Sequence, residues 1–436
     1  MTNFIFIVAD DLGHADLGCF GGRAPVSPRL DRLAAEGLRF VNGFSNSPVC
    51  SPTRFALMTG RYQYRLRGAA EEPMTTQFFG STTIGLQPSH PTLPSLLRAA
   101  GYRTALVGKW HLGYPPHFGP LKSGYEYHLG PLSGGVSYFS HVDTRGRPDL
   151  YENGEPMAAA DHHGRYLTDL LSERAAAYVT ERAADRAPFL LSVHYTAPHW
   201  PWETREDGGP NPAIDASLRH LDGGSVPKYQ QMIRQMDEGI GRIVDALAAG
   251  GLADDTLIVF TSDNGGERFS DNWPLVGGKM DLTEGGIRVP YIVRWPRTIA
   301  PGGVTEQHAI TMDWMATMLD IAGVAPDPDH PLDGVSLLPQ LREPGAIAPR
   351  RLCWRMKHRN QRALRDGDWK YLKVDEHEYL FDIGRDARER ANQGKREPAR
   401  LAAMRDAWLA WDATMDPVPD EAKVSLVYTA ADMPSR

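Results

Sequence analysis

The chain has 436 residues, of which 42% are hydrophobic and 23% are charged. This length suits one large α/β domain with a smaller appendage, and the composition is that of an ordinary globular protein. The formal net charge of −7 argues against a general nucleic-acid-binding protein. It does not exclude a small anionic substrate, because a local cluster of cations can reverse the field inside one cleft.

The cysteines and the start of the chain bear on the cellular compartment. The three cysteines, Cys19, Cys50 and Cys353, contain no CxxC pair and indicate neither a disulfide framework nor a zinc site. The chain begins MTNFIFIVADD, with an apolar run of only about six residues before two aspartates. Such a run is too short for a signal peptide or a membrane span, so we expect a cytoplasmic protein without membrane association.

Apolar runs typical of strands alternate with helical patterns along the first three quarters of the chain. The predicted strands are Asn3–Ala9, Arg103–Gly108, Phe189–Tyr195, Thr256–Ser262 and Val289–Arg294. The predicted helices are one with Ser27 as N-cap and Pro28 as first residue, ending before Gly37, and Leu93–Ala100, Arg165–Ala184 and Val226–Ala248. Continuously apolar strands that alternate with helices predict a mostly parallel sheet covered by helices on both faces.

The pattern changes after about residue 333. A segment rich in proline, glycine and arginine, from Pro339 to Arg351, precedes several short strand-like runs with tight turns between them. These runs are Leu352–Met356, Ala363–Leu364, Trp369–Val374 and Tyr379–Asp382, and a helix over Pro398–Trp411 follows them. We therefore predict a large α/β domain over residues 1–340 and a small antiparallel C-terminal subdomain with a helix over residues 341–436.

Polar side chains follow four of the predicted strands, at the point where each strand ends. They are Asp10 and Asp11, Lys109 and His111, His199, and Asp263 and Asn264. In an open parallel sheet, ligands bind outside the carboxyl ends of the strands. Because four strands end in such groups at one edge of the sheet, a functional site explains the pattern better than four unrelated surface turns do.

The acidic and amide residues of this group form a set of oxygen ligands. Oxygen ligands suit a hard divalent cation and not zinc. Ca²⁺ tolerates irregular coordination and is the favoured ion, with Mg²⁺ or Mn²⁺ as the alternatives. Taken alone, each element also fits a structural role, since Asp-Asn-Gly-Gly favours a turn and a single histidine is often structural. The run Gly277-Gly278-Lys279 lacks the spacing of a phosphate-binding loop.

Two longer segments carry a family resemblance. Pro48–Gly60, with the sequence PVCSPTRFALMTG, resembles the sulfatase signature built on C-x-P-x-R, and Gly101–His111, with the sequence GYRTALVGKWH, resembles the second signature of that family. Shorter stretches fit the family in order: Ala9–Gly13, Ala197–His199, Ser262–Gly266, Gly277–Lys279 and Glu284–Pro290. The resemblance extends from residue 4 to about residue 390 and implies an alkaline-phosphatase-like α/β fold.

The resemblance also implies a role for each matched residue. A maturation enzyme converts the signature cysteine, Cys50 in this chain, to formylglycine, an aldehyde. The implied metal ligands are Asp10, Asp11, Asp263, Asn264 and the modified Cys50. Lys109 and Lys279 hold sulfate oxygens, and Arg54 steadies the formylglycine. His111 handles the proton of the formylglycine hydrate, and His199 contacts the sulfate and protonates or stabilises the leaving oxygen.

The chemistry of these residue types agrees with the implied roles. One hydroxyl of a hydrated aldehyde, acidified by the cation, attacks sulfur and displaces the alcohol. The second hydroxyl then loses its proton and the aldehyde re-forms, which expels sulfate. The cations neutralise the sulfate oxygens throughout. The implied activity is hydrolysis of sulfate monoesters of the arylsulfatase type, on a small-molecule or carbohydrate substrate.

Two other functions stay open at this point. A phosphate or phosphonate monoester hydrolase of the same superfamily would need the same cations, and a catalytically inactive protein could retain the anion site. Aromatic residues near the motifs either line a substrate pocket or pack in the core: Phe78, Phe79, Tyr138, Phe139, Trp200 and Trp202. Glu71 and Glu72 either screen anionic substrates or lie on a solvated face. The oligomeric state is left open.

Overall fold

The structure is a computed structural model that describes residues 1–216 and 223–426. The strands are β1 Asn3–Ala9, β2 Leu38–Phe40, β3 Gly43–Phe44, β4 Arg103–Gly108, β5 Tyr127–Gly130, β6 Tyr151–Glu152, β7 Glu155–Pro156, β8 Phe189–His194, β9 Thr256–Ser262, β10 Tyr291–Arg294, β11 Gly303–Thr305, β12 Ala309–Ile310, β13 Arg351–Arg355, β14 Arg362–Asp366, β15 Trp369–Val374 and β16 His377–Asp382. The helices are α1 Pro28–Ala35, α2 Cys50–Thr59, α3 Leu93–Ala99, α4 Ala159–His162, α5 Leu167–Asp185, α6 Pro212–Ala216, α7 Val226–Ala249, α8 Glu284–Ile287, α9 Asp313–Ala322, α10 Leu338–Arg342 and α11 Pro398–Asp412.

Ten strands form one mixed sheet in the order β11-β2-β10-β9-β1-β8-β4-β5-β6-β7. Its centre, β9-β1-β8-β4-β5, is parallel throughout, as predicted. The fifth predicted strand differs, because β10 begins at Tyr291 and pairs antiparallel with β9. The mostly parallel α/β architecture predicted from the alternating pattern is confirmed.

The central strand β1 explains why the strands are apolar throughout. All seven of its residues are buried, and they alternate between two separate cores. Ile5 and Ile7 pack in one core with residues of α5 and α7, whereas Phe4 and Phe6 pack in the other with residues of α2, α3 and α9. Complete burial of each such side chain contributes about 1.5–3 kcal/mol. Both faces of the sheet are therefore covered.

The last part of the chain forms the predicted antiparallel sheet, in the order β13-β14-β15-β16. Helix α11 covers one face of this sheet, where Met404 and Trp408 pack against Leu364 and Tyr371. The other face shares a core with residues around the start of α2, among them Cys50. The C-terminal sheet is therefore packed directly against the elements that carry the candidate site.

Two further predictions concern Ser27 as a helix cap and the absence of a membrane-spanning segment. Ser27 precedes α1, as expected, but its hydroxyl accepts from the backbone N–H of Gly18 at 2.9 Å and does not cap the helix. Across residues 1–216 and 223–426, every helix is too short or too polar to span a bilayer.

Candidate active site

The structure brings all ten predicted site residues together at the carboxyl ends of the parallel strands. All ten are buried: Asp10, Asp11, Cys50, Arg54, Lys109, His111, His199, Asp263, Asn264 and Lys279. Four groups follow β1, β4, β8 and β9 directly, because parallel strands end at the same edge of the sheet. The other three residues lie on α2 and on the loop before α8.

Cys50 is the first residue of α2, directly after Val49 in extended conformation. The free N–H groups at a helix N-terminus favour negative charge at this position. Burial raises the pKa of the Cys50 thiol to about 11, although Lys109 and Lys279 act in the opposite direction. An unmodified Cys50 is therefore a protonated thiol near neutral pH, which is a poor nucleophile.

Two buried lysine–aspartate pairs surround the start of α2. Lys109 Nζ lies 2.5 Å from Asp10 Oδ2 and donates to the Gly134 carbonyl at 2.6 Å. Lys279 Nζ lies 2.7 Å from Asp11 Oδ2. Burial opposes the charge on Lys279, but Asp11 more than compensates and holds the pKa of Lys279 well above its ordinary value. Lys279 is therefore a fixed positive charge.

Arg54 lies one turn after Cys50 on α2 and is bound to Asp263. Its Nε and Nη2 atoms lie 3.0 and 2.7 Å from Asp263 Oδ2, and Nη1 donates to the Lys109 carbonyl at 3.3 Å. Burial and the nearby Asp10 carboxylate raise the pKa of Asp263 to about 7, against the effect of Arg54. In this structure the hydrogen bonds of Arg54 fix a carboxylate and a backbone carbonyl next to the start of α2.

The oxygen atoms of the site fit a divalent cation. Asp10 Oδ1 and Asn264 Oδ1 are buried without a hydrogen-bond partner, an arrangement that needs an explanation such as an ion. The Asn264 amide nitrogen donates to Asp11 Oδ1 at 2.7 Å, which leaves its oxygen available. Ligand atoms of Asp10, Cys50 and Asp263 lie within 4.8 Å of one another. A ligand set dominated by oxygen suits Ca²⁺ or Mg²⁺.

The two histidines present different ring nitrogens to the site. His111 Nε2 lies 2.7 Å from the Met74 carbonyl, so Nδ1, which has no partner, is the basic nitrogen of the neutral ring. His199 Nδ1 lies 2.6 Å from the Trp200 carbonyl, and its Nε2 lies 3.6 Å from Asp11 Oδ2. Burial and the neighbouring lysines hold the pKa of both rings well below the ordinary value. Both histidines are therefore neutral in this state.

Further side chains hold the Asp10–Asp11 loop in place. Asp11 has a left-handed backbone, with φ of 64°. The Tyr229 hydroxyl donates to the Asp11 carbonyl at 3.1 Å and to Asp16 Oδ2 at 2.6 Å, while Ser262 Oγ accepts from the Leu12 N–H at 3.0 Å. Sequence reasoning missed Asp16 and Tyr229, because neither belongs to a recognisable motif and Tyr229 lies on α7.

The site opens into a cavity of about 210 Å³. Its lining combines Cys50, His111, His199 and Lys279 with residues that the motifs do not include: Pro73, Met74, Thr75, Thr76, Gly134, Gly135, Thr144, Trp200, Ser425 and Leu426. Of the six aromatic residues near the motifs, Trp200 lines this cavity. Trp200 also packs in the core, together with Tyr138, Phe139 and Trp202, which do not line the cavity.

The C-terminal tail, residues 413–426, runs back from α11 to one wall of this cavity. The Glu72 N–H donates to the Lys423 carbonyl at 2.9 Å, and the Ser425 N–H donates to the Glu72 carbonyl at 2.8 Å. Glu71 accepts from the Lys423 N–H at 2.7 Å, and Glu72 accepts from the Lys357 N–H at 2.7 Å. The expectation that Glu71 and Glu72 lie on a solvated face is wrong, because both carboxylates are buried and bind backbone N–H groups, Glu71 in the tail and Glu72 in the segment before β14.

Known proteins resemble this chain in sequence and in structure. The sulfatase family profile matches residues 2–324. N-acetylgalactosamine-6-sulfatase from Homo sapiens is 34% identical over 366 residues, which cover 78% of this chain and 65% of the human protein. The chain thus spans less than two thirds of the length of that relative.

Solved structures share the fold over nearly the whole chain. The crystal structure of Ps i-CgsB in complex with k-i-k-neocarrahexaose has a TM-score of 0.85 and 30% identity, and the match covers 97% of this chain and 94% of that chain. Phosphonate monoester hydrolase of Agrobacterium radiobacter has a TM-score of 0.66 and 22% identity, and the match covers 95% and 96% of the two chains, which shows the shared fold alone.

The sheet and the structural matches define an alkaline-phosphatase-like α/β protein with buried lysine and arginine side chains at the strand ends. Within that class, the family profile matches most of the chain. The chain belongs to the sulfatase family.

Proposed function

We propose that this protein hydrolyses sulfate monoesters of carbohydrates. The observation that carries the proposal is the placement of Cys50 at the start of α2, beside two lysines whose charges are held by Asp10 and Asp11. A sulfate group over Cys50 would meet Lys109 and Lys279 without any rearrangement of the fold. Preorganised charge of this kind is usually the largest contribution to catalysis.

The nucleophile in this proposal is formylglycine, made from Cys50 by a formylglycine-generating maturation enzyme. The high pKa of the Cys50 thiol supports this, because a neutral thiol would not attack a sulfate ester at neutral pH. When present, formylglycine hydrate supplies the attacking oxygen, and a divalent cation, with Ca²⁺ favoured, supplies the charge that acidifies it. Asp10, Asp11, Asp263 and Asn264 would hold the cation.

The protein residues then bind the transferred group and move protons around it. Lys109 and Lys279 neutralise sulfate oxygens, and Arg54 holds Asp263 in place next to the nucleophile. His111 Nδ1 accepts the proton released when the aldehyde re-forms, since its other nitrogen is occupied by the Met74 carbonyl. These steps leave two hydrogen bonds unchanged: that of His111 with the Met74 carbonyl and that of His199 with the Trp200 carbonyl.

His199 is proposed to assist the leaving oxygen. Its Nδ1 is committed to the Trp200 carbonyl, so any proton given to the alcohol comes from Nε2. The ring is neutral in the substrate-free state, but a bound sulfate brings negative charge against Nε2 and favours the protonated form. The protonated ring can then donate to the departing oxygen.

The carbohydrate part of the proposal rests on the cavity and on the relatives. Four lining residues, Thr75, Thr76, Thr144 and Ser425, carry hydroxyl groups, and Trp200 adds an indole ring. Ligand sites combine apolar and aromatic surface with a few polar groups that fix orientation. The relatives named above are an N-acetylgalactosamine-6-sulfatase and a protein crystallised with a neocarrahexaose. A sugar ring bearing a sulfate ester matches this chemistry.

The test is a set of matched sulfate, phosphate and phosphonate esters of the same alcohols, assayed with purified protein that contains formylglycine. We expect the highest kcat/KM for sulfate esters, and among them for sulfated sugars over aryl sulfates. Preference for phosphate or phosphonate esters would reassign the activity to the alternative from the same superfamily. Absence of turnover on every ester would leave only the inactive anion-binding protein.

A further inference from the structure

The backbone that follows Lys279 adopts an unfavourable conformation. Met280 is buried and has φ of 73°, a left-handed value that is rare for a bulky residue without glycine's freedom. Such a conformation costs about 1–3 kcal/mol and persists only where neighbouring groups hold it. The contacts of Met280 therefore decide where the Lys279 side chain begins.

Gln361, the residue directly before β14 of the C-terminal sheet, supplies two of the contacts that hold this backbone. Its Nε2 donates to the Met280 carbonyl at 2.8 Å, and its Oε1 accepts from the Leu282 N–H at 2.9 Å. Gln361 is only 2% exposed, so water cannot replace these bonds. A side-chain amide that satisfies a buried carbonyl and a buried N–H at once fixes both the position and the direction of the chain.

The other side of Met280 is tied to the nucleophile segment. The Met280 N–H donates to the Pro48 carbonyl at 2.8 Å, two residues before Cys50. Met280 therefore links Gln361 to two parts of the site. One is Lys279, which directly precedes Met280, and the other is the segment that carries Cys50. A shift of Met280 would change the distance between Lys279 and Cys50.

The sheet that carries Gln361 is itself fixed to the catalytic elements. Glu284, at the start of α8, lies 2.8 Å from Arg365 and 3.1 Å from Lys370, and all three side chains are buried. Glu389 accepts from the Glu284 N–H at 2.7 Å. These contacts lock α8 to the C-terminal sheet, and Gln361 is tied to that sheet because it directly precedes β14 and its carbonyl accepts from the Met356 N–H at 2.9 Å.

We infer that Gln361 is a positioning residue for sulfate binding, which acts by holding Lys279 at its working distance from Cys50. This inference rests on the proposed function, since it concerns the sulfate-binding lysine of the same site. Through Gln361, the C-terminal sheet contributes to catalysis. Among the described residues, no side chain of that sheet lines the cavity. Lys279 contacts the transferred group and not the alcohol, so the effect must be independent of the alcohol.

The test uses Gln361→Met, which keeps the length of the side chain and removes both hydrogen bonds together with a third, from Nε2 to the His358 carbonyl at 3.2 Å. We expect kcat/KM to fall about 10- to 100-fold, the range typical for supporting residues around a charged centre. The fall should be equal for sulfate esters of an acidic phenol and of a sugar. In the same protein, the rise in Tm caused by inorganic sulfate should shrink, a readout that needs no turnover.

A matched control separates positioning from general loss of packing. Gln307 is also a buried amide clamp, which accepts from the Ala348 N–H at 2.7 Å and donates to the His308 carbonyl at 3.0 Å, outside the site. Gln307→Met should lower Tm but leave sulfate binding and kcat/KM close to wild type. Gln361→Glu offers a second variant, because it keeps an acceptor for Leu282 but places an oxygen against the Met280 carbonyl.

Two outcomes separate this inference from the proposed function. If both Gln361 variants matched Gln307→Met in sulfate-induced Tm shift and in kcat/KM, the positioning role would be overturned while sulfate hydrolysis stood. If the wild-type protein, with formylglycine present, hydrolysed no sulfate ester, that result would contradict the proposed function itself, whatever the Gln361 variants showed. Unequal losses for the phenol and sugar esters would also overturn the inference, because Lys279 does not contact the alcohol.

Discussion

Lys109 and Asp10 form an ion pair with a distance of 2.5 Å between Nζ and Oδ2, and neither side chain is exposed. Asp10 also lies near Asp263, so two carboxylates share one buried region with Arg54 and Lys109. Removal of one partner from such a pair leaves an uncompensated buried charge. The same groups that are proposed to bind sulfate therefore also stabilise the fold.

The first prediction concerns Lys109→Met in metal-free protein. We expect the free energy of unfolding to fall by about 3–5 kcal/mol, because Asp10 loses its nearer counter-charge and keeps only Arg54, at 3.6 Å. The measurement is denaturant unfolding in the presence of a chelator. Lys228→Met serves as control, since Lys228 pairs with Asp207 at 2.8 Å near the surface and should cost no more than about 1 kcal/mol. Equal losses in the two variants would contradict the account.

The second prediction concerns metal binding and its pH dependence. Burial and Asp10 raise the pKa of Asp263 to about 7 in the metal-free protein. A raised carboxyl pKa means that the proton stabilises the folded state at low pH and that this stability is lost as pH rises through about 7. A cation must displace that proton, so its affinity should increase from about pH 6 to about pH 8.

The corresponding measurement is the rise in Tm on addition of Ca²⁺ across that pH range, together with loss of turnover on chelation. At a free concentration of 100 times Kd, the cation should add about 2.7 kcal/mol to the free energy of unfolding. Asp263→Ala and Asn264→Leu should abolish the shift. Full turnover in metal-free protein, or an affinity that does not change with pH, would refute the ligand assignment.

The third prediction separates the two histidines. His199→Ala should reduce kcat most for esters of poor leaving groups, by about 10²–10⁴-fold, because they need a proton from Nε2. His111→Ala should slow release of sulfate equally for all esters, since the alcohol has already left, and a covalent sulfate ester should accumulate. A leaving-group series with mass spectrometry of the trapped ester checks both. If neither variant changed the leaving-group dependence or trapped an ester, the two rings would serve only to position sulfate.

The fourth prediction concerns the C-terminal tail. Leu426 lies on the cavity wall, where we expect its apolar side chain to contact the alcohol half of the substrate. Leu426→Ala should raise KM for a sulfated sugar by about tenfold, the scale of losing a few methylene contacts in a pocket. Leu409→Ala, on the exposed side of α11, is the control and should leave KM unchanged. Identical KM values for Leu426→Ala and Leu409→Ala, across sugars of different size, would contradict this role of Leu426.

The sequence predicted those parts of the site that lie in continuous motifs. Cys50 with Arg54, Lys109 with His111, and Asp263 with Asn264 each follow a strand end or begin a helix, so local pattern and family resemblance located them together. Tyr229, Gln361 and Leu426 were missed for a physical reason. They reach the site through tertiary packing from a distant helix, sheet or tail, and nothing in their own neighbourhood in sequence marks that contact.

The strands of the sheet were predicted from local sequence patterns, whereas the way a strand pairs with a distant neighbour was not. The apolar runs predicted all four central parallel strands that carry site residues, and the small antiparallel sheet was also predicted with its helix. The direction of β10 was not predicted, because an apolar strand has the same pattern whichever way it pairs. The motifs likewise gave no sign that Glu71 and Glu72 bind backbone N–H groups of the tail and of the segment before β14.

The fifth prediction tests the central claim, that the nucleophile is made from Cys50. Preparations with different degrees of conversion can be obtained by varying co-expression of the maturation enzyme. Peptide mass spectrometry of the Cys50 peptide gives the converted fraction, and kcat on one sulfate ester is measured for each preparation. The account predicts that kcat is proportional to the converted fraction and falls to zero with wholly unmodified Cys50. Full turnover by protein that retains the thiol at this position would contradict it.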